Sequence, residues 1–141
     1  MPYKHSDEFT GSDIGMAATG RDLKELFADS GYGLTEIMTD PKKLREDRQI
    51  KVEFKSDNLS ELYYDWLSEI IYLKDAELFL LKRSEFSRLD EKKGILGAQL
   101  FGDTIDPKRH ILKVDVKAVT YYKFKIEKTE EGWQSEVVFD L

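Results

Sequence analysis

The chain has 141 residues, 22 of them basic and 28 acidic, for a formal net charge of −6. That length suits one domain, and 40% hydrophobic with 12% aromatic residues fill a core, which excludes wholesale disorder. The absence of cysteine excludes disulfide scaffolds, thiol nucleophiles and thiolate metal sites, two histidines are too few for a three-imidazole centre, and the negative balance opposes bare polyanion binding.

The first fifteen residues carry Lys4, Asp7, Glu8 and Asp13 without an apolar run, so no signal peptide is expected there. Thr10-Gly11-Ser12-Asp13-Ile14-Gly15 has the pattern of a loop entering a short apolar strand around Ile14 and Met16. An aspartate so placed commonly bonds nearby backbone amides. Its sharper use is as an exposed hard-oxygen ligand on a glycine-flanked turn. Next, Leu23, Leu26, Phe27, Leu34, Ile37 and Met38 recur at three- and four-residue steps and predict a helix. Thr19 with Asp22 resembles its N-terminal cap, and Pro41 lies beyond its end. Gly31 and Gly33 each cost about 1 kcal/mol against alanine in a helix interior, and mark either close packing or a break.

Ile50, Val52 and Phe54 alternate with Lys51, Glu53 and Lys55, the pattern of a half-buried strand. A second helix follows. Asn58 and Glu61 form a cap-and-return pair, and Leu59, Leu62, Tyr63, Trp66, Leu67, Ile70 and Ile71 make an unbroken apolar stripe. Asp65 and Glu69 lie four apart beside that stripe, either as a solvated face or as a partner-binding or proton-handling pair. Residues 78–89 and 94–102 have the composition of a strand pair. Arg109-His110 after Asp106-Pro107 looks like turn chemistry.

From Leu112 the alternation resumes through Val114, Val116 and Ala118, then Tyr122, Phe124 and Ile126, with Lys117 on the polar side. Glu130-Glu131-Gly132 reads as a hairpin tip. The last strand puts Trp133, Val137, Phe139 and Leu141 on one face, and Glu136, Val138 and Asp140 on the other. Apolar alternation held to the last residue suggests a packed end. It would crowd the carboxylates of Asp140 and Leu141, a repulsion that a divalent cation relieves, and hard oxygen donors favour calcium or magnesium.

These elements predict an α+β single domain over residues 1–141, a largely antiparallel sheet packed with two main helices. No Gly-Lys-Ser/Thr phosphate loop and no Gly-x-Ser-x-Gly elbow occurs, so a conventional enzyme is disfavoured. A metal-dependent hydrolase using Asp13, Asp140 and Asp65 is the enzymatic alternative, and it would turn over without a partner. Ile70-Ile71-Tyr72-Leu73 is far too short for a membrane span, and a cytoplasmic protein without membrane contact is expected.

Five motifs in order resemble the archease family over nearly the whole chain. They are Ser12-Asp13-Ile14-Gly15, Asp65-Trp66-Leu67-Ser68-Glu69-Ile70-Ile71-Tyr72-Leu73, Asp106-Pro107-Lys108-Arg109-His110, Val116-Lys117-Ala118-Val119-Thr120-Tyr121 and Val137-Val138-Phe139-Asp140-Leu141. Archeases commonly carry His-Thr-Ala-Asp at the first motif. Here Thr10-Gly11-Ser12-Asp13 keeps the Asp and lacks the His. The resemblance implies a non-enzymatic activator of the manganese-dependent RNA-splicing ligase that joins cyclic-phosphate or 3′-phosphate ends to 5′-hydroxyl ends in tRNA splicing. It would promote guanylylation of the ligase histidine and multiple turnover. The alternative implied role is a chaperone-like modulator of a tRNA cytosine methyltransferase. The family resemblance also implies a divalent cation, calcium foremost, on Asp13, Asp140 and the main-chain oxygen of Leu141, with Lys117 as the functional lysine. Asp65, Glu69, Arg109 and His110 are further partner-binding or activation candidates. The net charge of −6 suits docking on a basic RNA-binding protein, and no direct nucleic-acid binding is expected.

Overall fold

The computed structural model describes residues 3–6 and 13–141. Of the first motif, Thr10, Gly11 and Ser12 lie outside the described residues. In chain order the elements are β1 (Tyr3–Ser6), β2 (Asp13–Gly20), α1 (Leu23–Met38), β3 (Arg48–Lys55), α2 (Leu59–Glu77), β4 (Phe79–Asp90) and β5 (Ile95–Thr104). They are followed by β6 (Ala118–Val119), β7 (Lys125–Thr129) and β8 (Gly132–Asp140). The strands form two antiparallel sheets, one ordered β1-β2-β8-β6 with β7 also paired to β8, the other β3-β5-β4. The class is α+β. Among the described residues no helix is long and apolar enough to cross a membrane.

Both helices start where a short polar side chain takes up an orphan backbone N–H. Asp22 accepts from the Glu25 amide at 2.8 Å and Asn58 from the Glu61 amide at 2.9 Å. The first cap is therefore Asp22 rather than Thr19. Thr19 is still in β2, held opposite Gln134 of β8, so the helix can begin only after the strand ends. Gly31 and Gly33 do not break α1. A Cβ on Gly31 would stand 3.2 Å from Leu81 and Trp66 and 3.3 Å from Ile70, so the missing side chain is what lets α2 and β4 press against α1.

The two helices tie the sheets together. The Trp66 indole N–H donates to the Phe27 carbonyl at 2.9 Å, linking α2 to α1. The Trp66 ring lies 5.1 Å from Phe86 on β4, and the Phe27 ring 5.0 Å from Tyr63. Tyr63 shares a 2.8 Å hydrogen bond with Ser135 on β8, and burial pushes its phenol up to about 12. Met16, Ala18, Val137 and Phe139 complete the core from the larger sheet.

The strand expected from Leu112 does not form. Residues 111–117 run without regular structure, and β6 is two residues long. Val114 is 42% exposed while Val116 is fully buried. The backbone of this stretch is taken up by helix side chains and ends instead of a ladder. The Lys113 amide donates to the Met38 carbonyl at 2.9 Å, the Thr39 hydroxyl to the Ile111 carbonyl at 2.7 Å, and the Lys74 ammonium to the Val116 carbonyl at 2.8 Å. Lys113 also donates to the Glu36 carbonyl at 3.1 Å, supplying a cation to the end of α1, which has no basic residue in its own last turn. Downstream, a turn at Tyr121–Phe124 with Lys123 at a φ of 52° interrupts the alternation before β7.

Gly102 lies opposite Leu81, at the irregularity between Leu81 and Arg83 in the β4–β5 ladder. A Cβ there would fall 2.1 Å from the Leu80 carbonyl oxygen and 2.7 Å from the Phe79 ring. Gly102→Ala is expected to cost about 3 kcal/mol, read as a lower denaturant midpoint at unchanged slope. A loss under about 1 kcal/mol would mean that β4 can retreat freely.

Candidate functional site

Antiparallel pairing brings the two ends of the described domain core together. In the β2–β8 ladder Asp13 is the register partner of Asp140, and on the other side of β8 Asp140 is the partner of Ala118. The alternation fixes which way they face. Ile14, Met16 and Ala18 on β2 pair with Phe139, Val137 and Ser135 on β8, and these rows face the helices. Asp13 and Asp140 fall on the opposite rows and share the other face of the sheet. Directly opposed residues have Cβ atoms roughly 5 Å apart, so two like charges meet here.

Both aspartates are half-buried. Among the described residues, neither carboxylate has a hydrogen-bond or ion-pair partner, and no group of three or more acidic or imidazole side chains gathers. Among the described residues the pair is thus an uncompensated hard-oxygen donor set. Leu141 follows directly and packs on the core, which keeps its main-chain oxygen beside the strand end. Two carboxylates and a main-chain oxygen fit calcium or magnesium by donor chemistry, with other positions left to water.

Lys117 enters at the same end. Its amide donates to the Asp140 carbonyl at 2.8 Å, and its side chain is exposed. The short β6 is held to β8 by Thr120, whose amide and hydroxyl both donate to the Val138 carbonyl at 3.0 and 2.8 Å. It is held to α2 by the Tyr64 hydroxyl, which donates to the Val119 carbonyl at 3.0 Å. Asp13, Asp140, Leu141 and Lys117 are therefore gathered by one strand end.

The remaining candidates sit elsewhere in the fold. Asp65 accepts from the Ser56 hydroxyl at 2.6 Å, and burial pushes the Glu69 carboxyl up; both line a groove between α2 and β3. Arg109 and His110 converge on Asp103, whose side chain is only 2% exposed. Arg109 grips it with two hydrogen bonds at 2.6 and 3.0 Å, His110 Nε2 stands 3.1 Å away, and the Arg45 amide donates at 2.9 Å. The Asp106 amide donates to His110 Nδ1 at 3.0 Å, so Nδ1 carries no hydrogen and Nε2–H donates to Asp103. The Arg109 guanidinium first, then the Arg45 amide and His110, hold the Asp103 carboxyl well below the usual carboxylate range. This cluster pins the turn after β5. Sequence reasoning did not single out Asp103; its one signal was a carboxylate at a strand end six residues before Arg109.

A second buried charge was also missed. The Lys74 ammonium, 7% exposed, pairs with Asp115 and Asp75. With its bond to the Val116 carbonyl, it fastens the irregular stretch onto α2 just before Lys117.

Comparison with known proteins adds the following. The Archease protein family model matches residues 3–141. The protein archease of Sulfurisphaera tokodaii is 33% identical over 130 residues, covering 92% of this chain and 93% of its own. That of Pyrococcus furiosus is 31% identical over 143 residues, covering 99% and 96%. Among solved structures, a Methanobacterium thermoautotrophicum protein determined in solution superposes with a TM-score of 0.80 at 29% identity, over 99% of each chain. A Thermotoga maritima crystal structure, described as an archease and possible chaperone, shares the fold with a TM-score of 0.66 at 18% identity, over 92% of this chain and 91% of its own.

Proposed function

Since the chain belongs to the archease family, we propose that it is a non-enzymatic activator of the guanylylated-histidine RNA-splicing ligase, working in the cytoplasm. The observation that supports this most is the register pairing of Asp13 with Asp140, beside Lys117. A strand end presenting two carboxylates and one lysine suits a docking tip.

Asp13, Asp140 and the main-chain oxygen of Leu141 would hold a divalent cation, calcium foremost. Bound there, the ion would neutralise the opposed carboxylates and offer open coordination positions to a partner's oxygen groups. Lys117, exposed at the same end, would meet a phosphate or an acidic residue of the ligase. The acidic surface, at a net charge of −6, would steer this end toward a basic RNA-binding cleft.

Multiple-turnover ligation with Asp13→Ala, Asp140→Ala and Lys117→Ala chains tests this directly. Each variant is expected to lose most of the stimulation at unchanged single-turnover ligation. Full stimulation by all three would remove the strand end from the mechanism. Protection of a tRNA methyltransferase from aggregation, unchanged in those variants, would favour the chaperone role instead.

A further inference from the structure

β3 is an edge strand, and among the described residues it pairs only with β5. Its free side faces α2 across a groove of about 480 Å³ lined by residues 51–54 and by Asp65, Ser68, Glu69 and Tyr72. Four consecutive strand residues can line one wall only if that wall is the strand's edge, backbone included. The four helix residues are spaced i, i+3, i+4, i+7, a single stripe of α2. The cleft therefore has an open ladder on one side and a polar helix stripe on the other.

We infer that this groove takes an extended basic peptide segment, which adds a strand to β3 and sets its cationic side chains against Asp65 and Glu69. Exposed strand edges capture extended segments through main-chain hydrogen bonds, with alternate side chains giving specificity. Charge selects the occupant. Lys51 and Glu53 neutralise each other at 3.1 Å, leaving the groove's charge to the two helix carboxylates. The Ser56 hydroxyl fixes Asp65 in place. Glu69 is half-buried and meets no cation among the described residues, and burial pushes its carboxyl up, a cost that an incoming ammonium or guanidinium reverses. The Tyr72 ring, 58% exposed, supplies a face on which a guanidinium can stack. Because strand side chains alternate, only every second residue of the segment has to be basic. This surface shares no residue with the proposed cation site.

The probe is a labelled peptide alternating arginine and threonine, compared by fluorescence anisotropy with one alternating glutamate and threonine. The basic peptide is expected to bind and the acidic one not to. Asp65→Asn and Glu69→Gln, near-isosteric changes at half-exposed positions, should each weaken the basic peptide about tenfold at an unfolding midpoint no lower than the parent's. Hydrogen exchange should show new protection over residues 48–55 on binding. Equal binding of the two peptides, unchanged affinity in both variants, or protection that spares β3 overturns the inference. So does concentration-dependent protection of β3 without peptide, which would give the groove to a second copy of this chain.

Discussion

Asp103→Ala is expected to cost about 3 kcal/mol, the lower end for breaking a buried charge pair, because Arg109 on the other side is 28% exposed and partly rehydrates. The loss leaves the Arg45 amide, both Arg109 donors and the His110 Nε2–H without their acceptor, and the turn from Asp106 to His110 loses its anchor. The pH dependence has a definite sign. Asp103 has a folded-state pKa held below its ordinary value of 3.8, chiefly by Arg109. Its contribution is therefore fully present above about pH 4 and disappears as pH falls through the depressed folded value. Denaturant midpoints of the two proteins should differ by a constant amount at neutral and mildly acid pH and converge below it. A difference that persists unchanged into strong acid would mean that Asp103 acts by packing, not by charge.

The second large effect concerns the opposed aspartates, and it should change sign with the solution. Asp13→Asn or Asp140→Asn removes one of two like charges carried on opposed residues whose Cβ atoms are roughly 5 Å apart. In chelator, each variant is expected to be more stable than the parent by up to about 1 kcal/mol, the size of that repulsion in a largely solvated setting. In excess calcium the order should reverse. A cation bound only by the folded state adds about 2.7 kcal/mol at a hundredfold excess over its dissociation constant, and the variants would forgo it. Thermal or denaturant unfolding of parent and variants in the two solutions measures both arms. Variants less stable than the parent in chelator would show that the carboxylates are satisfied by the protein itself.

How much of this was written in local sequence differs element by element. The second helix was legible from its cap to Ile71, because Asn58 and its stripe from Leu59 to Ile71 obey local rules of capping and periodicity that the tertiary structure leaves untouched; its run on to Glu77 lies beyond that stripe. The hairpin at Glu130-Glu131 and the alternation of β8 were legible for the same reason. The stretch from Leu112 was not. Its apolar alternation is real, but Lys74, Met38 and Thr39 satisfy its backbone from distant elements, and no nearby residue announces that competition. The start of α1 was misplaced by one cap because Thr19 and Asp22 are both good capping residues, and only the pairing of Thr19 with β8 decides between them.

The acid pair shows a further boundary. Local pattern marks Asp13 as a strand-entry residue and Asp140 as part of an alternating end, but nothing within either segment says that β2 lies beside β8. Once they are neighbours, the match of Ile14, Met16 and Ala18 to Phe139, Val137 and Ser135 sets the register, and the aspartates fall opposite each other without further choice. The resemblance to the archease motifs supplied that long-range link. Asp103 had no such help, since a lone carboxylate near a strand end is common and its partners become visible only when the turn folds back.

Calorimetric titration of calcium into the metal-free chain, beside Asp13→Asn and Asp140→Asn, is the most direct measurement of whether the two carboxylates hold one ion. One site per chain, lost in each variant alone, is the expected result. Undiminished calcium binding in both variants, or none in the parent, would contradict it.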